Sequence, residues 1–216
     1  MAKLIFNNVG ERLFETGVKI GVLYVMGDDG AYENGVVWNG LTAVTESPSG
    51  AETTPLYADD VKYVVIYAAE EFGATVEAYT YPEEFEQCDG SAAIADGITI
   101  GQQTRKSFGM CYKTSVGNDV QGQDYGYKIH IIYGAKAAPS EKSYSTINDS
   151  PEAVTFSWEL STVPVPVEGH NPTATMVIDS TRVPAEKMAL IEAKLYGSEE
   201  AEATLPLPNE ILELIK

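Results

Sequence analysis

From Val154 to Ser161 apolar and polar side chains alternate without a break, with Val154, Phe156, Trp158 and Leu160 on one face and Thr155, Ser157, Glu159 and Ser161 on the other. A period of two marks a half-buried β-strand. The same pattern recurs at Phe72, Ala74, Val76 and Ala78, at Phe108, Met110, Tyr112 and Thr114, and at Tyr127, Ile129, Ile131 and Tyr133. Shorter strand candidates run from Val18 to Val25, Trp38 to Val44, Val61 to Tyr67 and Thr173 to Ile178. Turn residues separate them: Gly27-Asp28-Asp29-Gly30, Asn39-Gly40, Gly117-Asn118-Asp119 with Gly122, and Asn148-Asp149-Ser150-Pro151. The fold expected is mainly β, an antiparallel β-sandwich or barrel, because a parallel α/β sheet would need a helix between most strands.

Helical spacing is confined to a few places. Pro184 suits a helix start, Ala185, Met188, Ile191 and Leu195 share one face, and Gly197 supplies the stop. This predicts one flanking α-helix. A short C-terminal helix is expected from Pro208, with Ile211, Leu212 and Ile215 apolar, and a third short one from Pro82 to Gln87. The 216 residues, 44% of them hydrophobic, can bury one core, so a single domain over residues 1–216 is expected. Three segments stand apart from it: an N-terminal arm (residues 1–16), a polar, aperiodic loop (46–55) and an acidic C-terminal extension (198–216) that reaches beyond the domain. Long loops of that kind are often functional.

Acidic residues number 32 against 14 basic, for a formal charge of −18. Such a surface repels nucleic acid and anionic membranes. The apolar run at Met1 to Phe6 is too short for a signal peptide, and nothing approaches the roughly 18 apolar residues needed to cross a bilayer, so synthesis and residence in the cytosol are expected. Cys88 and Cys111 form no CxxC pair and have no neighbouring histidine; they read as reduced, semi-buried thiols. The sequon at Asn148 carries no weight without an export signal.

Chemistry-bearing motifs are scarce. The two histidines are His130, which alternates with Lys128 on the polar face of a strand, and His170, in the turn Glu168-Gly169-His170-Asn171-Pro172. A surface or subunit-contact role is expected for His130. There is no GxSxG elbow, GxGxxG or GxxxxGK[ST], and Asp28-Asp29-Gly30 lacks the ligand spacing of a calcium loop. Neighbouring carboxylates such as Asp59-Asp60, Glu70-Glu71 and Glu83-Glu84 arise by chance in so acidic a chain. Tyr63, Tyr67, Tyr79, Tyr112, Tyr127 and Tyr133 fall in expected strands, as sheet and interface residues. No catalytic residue, cofactor or metal is expected, and the chain reads as a non-enzyme.

An ordered series of segments carries a resemblance. It runs Trp38-Asn39-Gly40-Leu41-Thr42-Ala43-Val44-Thr45-Glu46-Ser47-Pro48-Ser49-Gly50-Ala51-Glu52, then Leu56-Tyr57-Ala58-Asp59-Asp60 with Lys62-Tyr63, then Ala69 to Phe85. Gly101-Gln102-Gln103, Gly126-Tyr127-Lys128-Ile129-His130 and Tyr144 to Ala153 follow. From about Gly17 to Gly197 the chain resembles the major tail tube protein of long-tailed, non-contractile (siphovirus) bacteriophages. The resemblance implies a tail-tube type β-sandwich or barrel, six copies closed into a ring, and rings stacked into a hollow tube that conducts the genome.

Implied partners are further copies of the chain, a tape-measure protein, tail terminator and distal tail proteins, and double-stranded DNA passing without specific binding; no membrane partner is implied. The implied location is the virion tail, with assembly in the host cytoplasm. Six copies would carry about −100 formal charges per ring, favouring a negative bore that DNA does not stick to. Within this frame the 46–55 loop becomes an inter-ring or inter-subunit clamp, with Glu46, Ser47, Pro48, Ser49, Gly50, Glu52, Pro55 and Tyr57 as interface candidates. An alternative is the inner tube of a contractile tail or phage-like injection particle; another is a carbohydrate-binding β-sandwich module.

Overall fold

The computed structural model describes residues 4–147, 149 and 152–215; Asn148, Ser150 and Pro151 of the expected turn and sequon lie outside them. The chain runs through β1 (Leu13–Val25), β2 (Val36–Trp38), β3 (Leu41–Glu46), β4 (Ser49–Gly50), β5 (Thr53–Ala58), β6 (Val61–Tyr67), β7 (Glu70–Glu71) and β8 (Gly73–Ala78). A helical turn (Glu83–Phe85) leads into α1 (Glu86–Asp89), then β9 (Ala92–Ala95), β10 (Ile98–Ile100), β11 (Phe108–Asn118), β12 (Gly122–Ala137), β13 (Phe156–Thr162), β14 (Thr175–Asp179), α2 (Ala185–Tyr196) and α3 (Pro208–Ile215). The mainly antiparallel β architecture matches the expectation. The principal sheet has the order β2-β1-β11-β12-β13-β8-β3, with β14 added to the side of β12.

This sheet curls around an apolar interior. Leu23 and Val25 of β1, Trp38, Ala74, Val76 and Ala78 of β8, Phe108, Met110 and Tyr112 of β11, and Trp158 and Leu160 of β13 all point inward. Phe85 and Cys88, from the turn and α1, plug one end; Phe85 packs edge-on against Trp158 at 5.0 Å and Phe108 at 5.4 Å. The outer face of β1, β11 and β12 forms a second core: Val22, Tyr24, Cys111, Ile129, Ile131 and Tyr133 meet Met188, Ile191 and Leu195 of α2 and Ile211 of α3. Both cysteines are therefore free but fully buried, deeper than expected.

Gly134 explains how β12 serves both cores. Its φ of +56° inserts an extra residue opposite β11, so Ile132 faces inward while Tyr133 faces the helices and Ala135 faces inward again.

The C-terminal extension does not reach away from the body over its described residues. The Gly35 N–H donates to the Ala203 carbonyl at 2.8 Å, the Tyr133 hydroxyl donates to the Pro206 carbonyl at 3.0 Å, and Leu205 and Ile211 are buried. Ile211 of the expected short helix completes the outer core together with Leu205 and Leu214, which the sequence does not single out as anchors.

Candidate assembly surface

The segment expected to be a loop at 46–55 is the outgoing leg of a long antiparallel ribbon. β3 pairs β8, β4 pairs β7 and β5 pairs β6, so residues 41–78 form one hairpin whose distal half leaves the barrel. Backbone bonds carry the ladder through its bends: Ser47 N–H to the Gly73 carbonyl at 2.8 Å, Ala51 N–H to Ala69 at 3.2 Å, and Ala68 N–H to Glu52 at 2.9 Å. Asp59 and Asp60 turn the tip with φ of +51° and +60°, the paired left-handed geometry that fits the strand twist. At about 3.3 Å per residue, Glu46 to Asp59 spans on the order of 40 Å. The Ser-Pro-Ser-Gly composition concealed this leg, because its order comes from the partner strand.

The interface candidates are strung along that leg. Glu46 sits at its root, and Ser47 and Pro48 at the first bend. Ser49 and Gly50 pair with Glu71 and Glu70; a Cβ on Gly50 would lie 2.5 Å from the Ala69 carbonyl oxygen. Glu52 marks the second bend, and Pro55 and Tyr57 lie opposite Val65 and Lys62. Pro55 offers no N–H and is tolerated because β5 pairs on one side only.

The return leg, where Tyr63 and Tyr67 were expected as sheet and interface residues, presents more apolar area than the outgoing one. Tyr63 (73% exposed) and Tyr67 (71%) share one face of β6, and Val64 and Ile66 project from the other. Leu56 and Tyr57 add to this from β5. Their alternation was visible in the sequence; that neither face would be covered was not.

Two further protrusions are apolar and exposed. Leu4, Ile5, Phe6 and Val9 precede an anchor at Gly10, whose N–H donates to Asp119 Oδ1 at 2.9 Å and whose carbonyl accepts from Asn118 Nδ2 at 3.2 Å. The β9–β10 hairpin shows Ile94, Ile98 and Ile100. Trp38, Trp158, Phe85 and Phe108, by contrast, pack inside the barrel rather than along a cleft.

His130 is not on the outer surface. With Lys128 it lines the polar mouth of the barrel interior, its side chain 12% exposed, and its ring lies flat on Tyr112 at 4.8 Å. Nε2 stands 3.0 Å from Thr114 Oγ1 and 3.2 Å from Glu15 Oε1, while Nδ1 stands 3.5 Å from Glu46 Oε1. The row of Thr114, His130 and Glu46 has the order of a hydroxyl nucleophile, base and carboxylate. However, Thr114 Oγ1 donates to Glu15 Oε1 at 2.5 Å, and Nε2 faces that same anionic oxygen, so it carries a proton and is not a free base. Burial raises the Glu15 carboxyl, but hydrogen bonds from Lys128, Thr114 and His130 outweigh it and hold it below its ordinary range. Glu46 is also held low, chiefly by the approach of His130; burial opposes this and the Tyr112 hydroxyl, donating at 2.8 Å, adds to it. His170 sits in its expected turn, its N–H bonded to the Val167 carbonyl at 3.2 Å.

No family model matches the chain. No curated protein matches it either. Among solved structures, a chain of the anti-feeding prophage (AFP) baseplate superposes with a TM-score of 0.37 at 7% identity, covering 81% of this chain and 97% of that one. A chain of the PVC sheath-tube complex, an extracellular contractile injection system in its extended state, gives a TM-score of 0.32 at 15% identity, covering 74% and 88%. Superpositions this loose place no constraint on function.

Proposed function

We propose that the chain is a self-assembling structural subunit of a phage-type tail tube, closing into hexameric rings that stack around a tape-measure protein and conduct the genome, and that it catalyses no reaction. The observation that carries this is the ribbon, whose apolar side chains are exposed on both faces. A two-stranded ribbon alone in water is marginally stable at best, so one this long and this apolar calls for a covering partner. The sequence resemblance supplies the partner, a second copy, and favours a non-contractile tail.

Magnitudes favour assembly by many copies over a tight dimer. Fully burying Leu56, Tyr57, Tyr63, Val64, Ile66 and Tyr67 would contribute roughly 10 kcal/mol gross. Association itself costs about 4–15 kcal/mol. One ribbon contact is therefore weak, and a ring in which each copy both gives and receives a ribbon gains from multivalency.

The test is negative-stain electron microscopy of the full chain at rising concentration, beside a variant in which residues 53–67 are replaced by a two-residue turn. Hollow tubes from the full chain and folded monomers from the variant are expected. A full chain that stays monomeric at high concentration and binds glycans would overturn the proposal.

A further inference from the structure

The barrel mouth joins two carboxylates from distant parts of the chain. Glu15 lies on β1 just after the N-terminal segment, and Glu46 ends β3 where the ribbon leaves the barrel. His130 of β12 lies between them, faced also by Tyr112 of β11 and by Lys128 of its own strand. Lys128 is engaged by Glu15 at 2.5 Å, so Glu46 has no lysine or arginine partner among the described residues. His130 Nδ1 is buried without a hydrogen-bond partner, although Glu46 Oε1 is only 3.5 Å away.

A nitrogen without a hydrogen bond, beside a carboxylate held by the Tyr112 hydroxyl and by no cation's hydrogen bond, follows from the tautomer. Neutral imidazole has one N–H, and at Nε2 that proton serves Glu15 and Thr114. Nδ1 then presents a lone pair to the Glu46 oxygen, and the two repel. Protonation turns Nδ1 into a donor, and closing the 3.5 Å separation by about 0.6–0.8 Å makes the contact a charge-assisted hydrogen bond. Imidazole is the side chain that ordinarily gains its charge between about pH 5 and 8.

We propose that His130 is a proton-operated latch across the barrel mouth: the neutral ring ties Glu15 alone, and the protonated ring ties Glu15 to Glu46, fixing the root of the ribbon to β1. The carboxyl of Glu46 stays ionised through this interval, so the proton is taken up by the ring. The latch acts within one chain and does not depend on assembly.

The Ser47 amide, which donates to the Gly73 carbonyl at 2.8 Å beside the latch, is the reporter. Its hydrogen-exchange protection, corrected for the intrinsic pH dependence of exchange, is to be measured by NMR in the dilute full chain at pH 8.0 and 5.5. Protection is expected to rise about threefold to fivefold on acidification, the scale of a partly exposed ion pair. In His130→Gln, which keeps one donor but takes no charge, the corrected protection should not change with pH. Should that variant fail to fold, Glu46→Gln retains an acceptor for Tyr112 and should likewise abolish the response. Equal protection at both pH values in the unaltered chain, or a response that survives either substitution, would overturn the latch.

Discussion

The indole N–H of Trp158 donates to Asp89 Oδ1 at 3.0 Å in the barrel interior, tying the centre of β13 to the short helix that plugs the barrel. Asp89 also accepts from Lys142 Nζ at 2.5 Å and stands 3.5 Å from Arg105 Nη1, so one buried carboxylate satisfies two donors and pairs with a second cation. Asp89→Ala leaves the indole and two partly buried cations without it. Breaking a buried pair in this way costs about 3–5 kcal/mol, near the lower end here because both cations keep some water contact. Urea unfolding followed by Trp fluorescence should show the loss as a lowered midpoint with an unchanged slope.

Gly134→Ala is expected to destabilise the fold by about 2 kcal/mol or more. A left-handed φ costs an L-residue roughly 1–2 kcal/mol, and the added Cβ would lie 2.3 Å from the Val163 carbonyl oxygen, which has no side-chain freedom to withdraw. Thermal unfolding compares the two proteins. Gly30→Ala, at a φ of +81° with nothing within 4 Å of the added Cβ, isolates the backbone part of the cost.

These two positions also mark how far the sequence could be read. Ala74, Val76 and Ala78, or Phe108 and Met110, disclosed their strands because each buries one face against the interior. Period-two reading assumes an unbroken pleat, and in β12 the bulge at Gly134 switches which face is inside. Lys128 and His130 were expected outside because polar residues on alternate positions normally meet water. In a barrel they can instead line the inner wall at its open end. The outgoing leg of the ribbon, with Pro48, Gly50 and Pro55, lacks any apolar alternation, since its order is imposed by hydrogen bonds from the return leg.

Alkaline pH should unfold the protein as its phenols ionise. Burial above all pushes the Tyr24, Tyr133 and Tyr196 hydroxyls far above their ordinary range. The native state thus keeps protons that the unfolded chain releases near pH 10, and stability falls as pH rises above about 10. Phenolate absorbance and far-UV circular dichroism recorded together should show these tyrosines ionising in step with unfolding.

Tyr63→Ser with Tyr67→Ser should leave the monomer's stability within about 0.5 kcal/mol, because exposed side chains off any polar network contribute little to folding. If the ribbon is covered by a second copy, the same pair should abolish assembly, read by sedimentation at a concentration where the unaltered chain pellets.

Salt should promote that assembly. Bringing together copies that each carry −18 formal charge meets repulsion that mobile ions screen over about 10 Å at 0.1 M. The concentration at which tubes appear is therefore expected to fall between 50 mM and 500 mM sodium chloride, measured by light scattering.

The ribbon is also continuous with the barrel wall. A load applied at Asp59 and Asp60 travels down both legs into β3 and β8, and β8 is laced to β13 from Phe156↔Ala78 to Ser161↔Gly73. Ladder hydrogen bonds lie across the strands, so tension along the ribbon strains them in shear and they share the force instead of opening one at a time. Whatever grips the tip therefore pulls on the strand that Trp158 fastens to Asp89, and both legs of the arm transmit tension to the core.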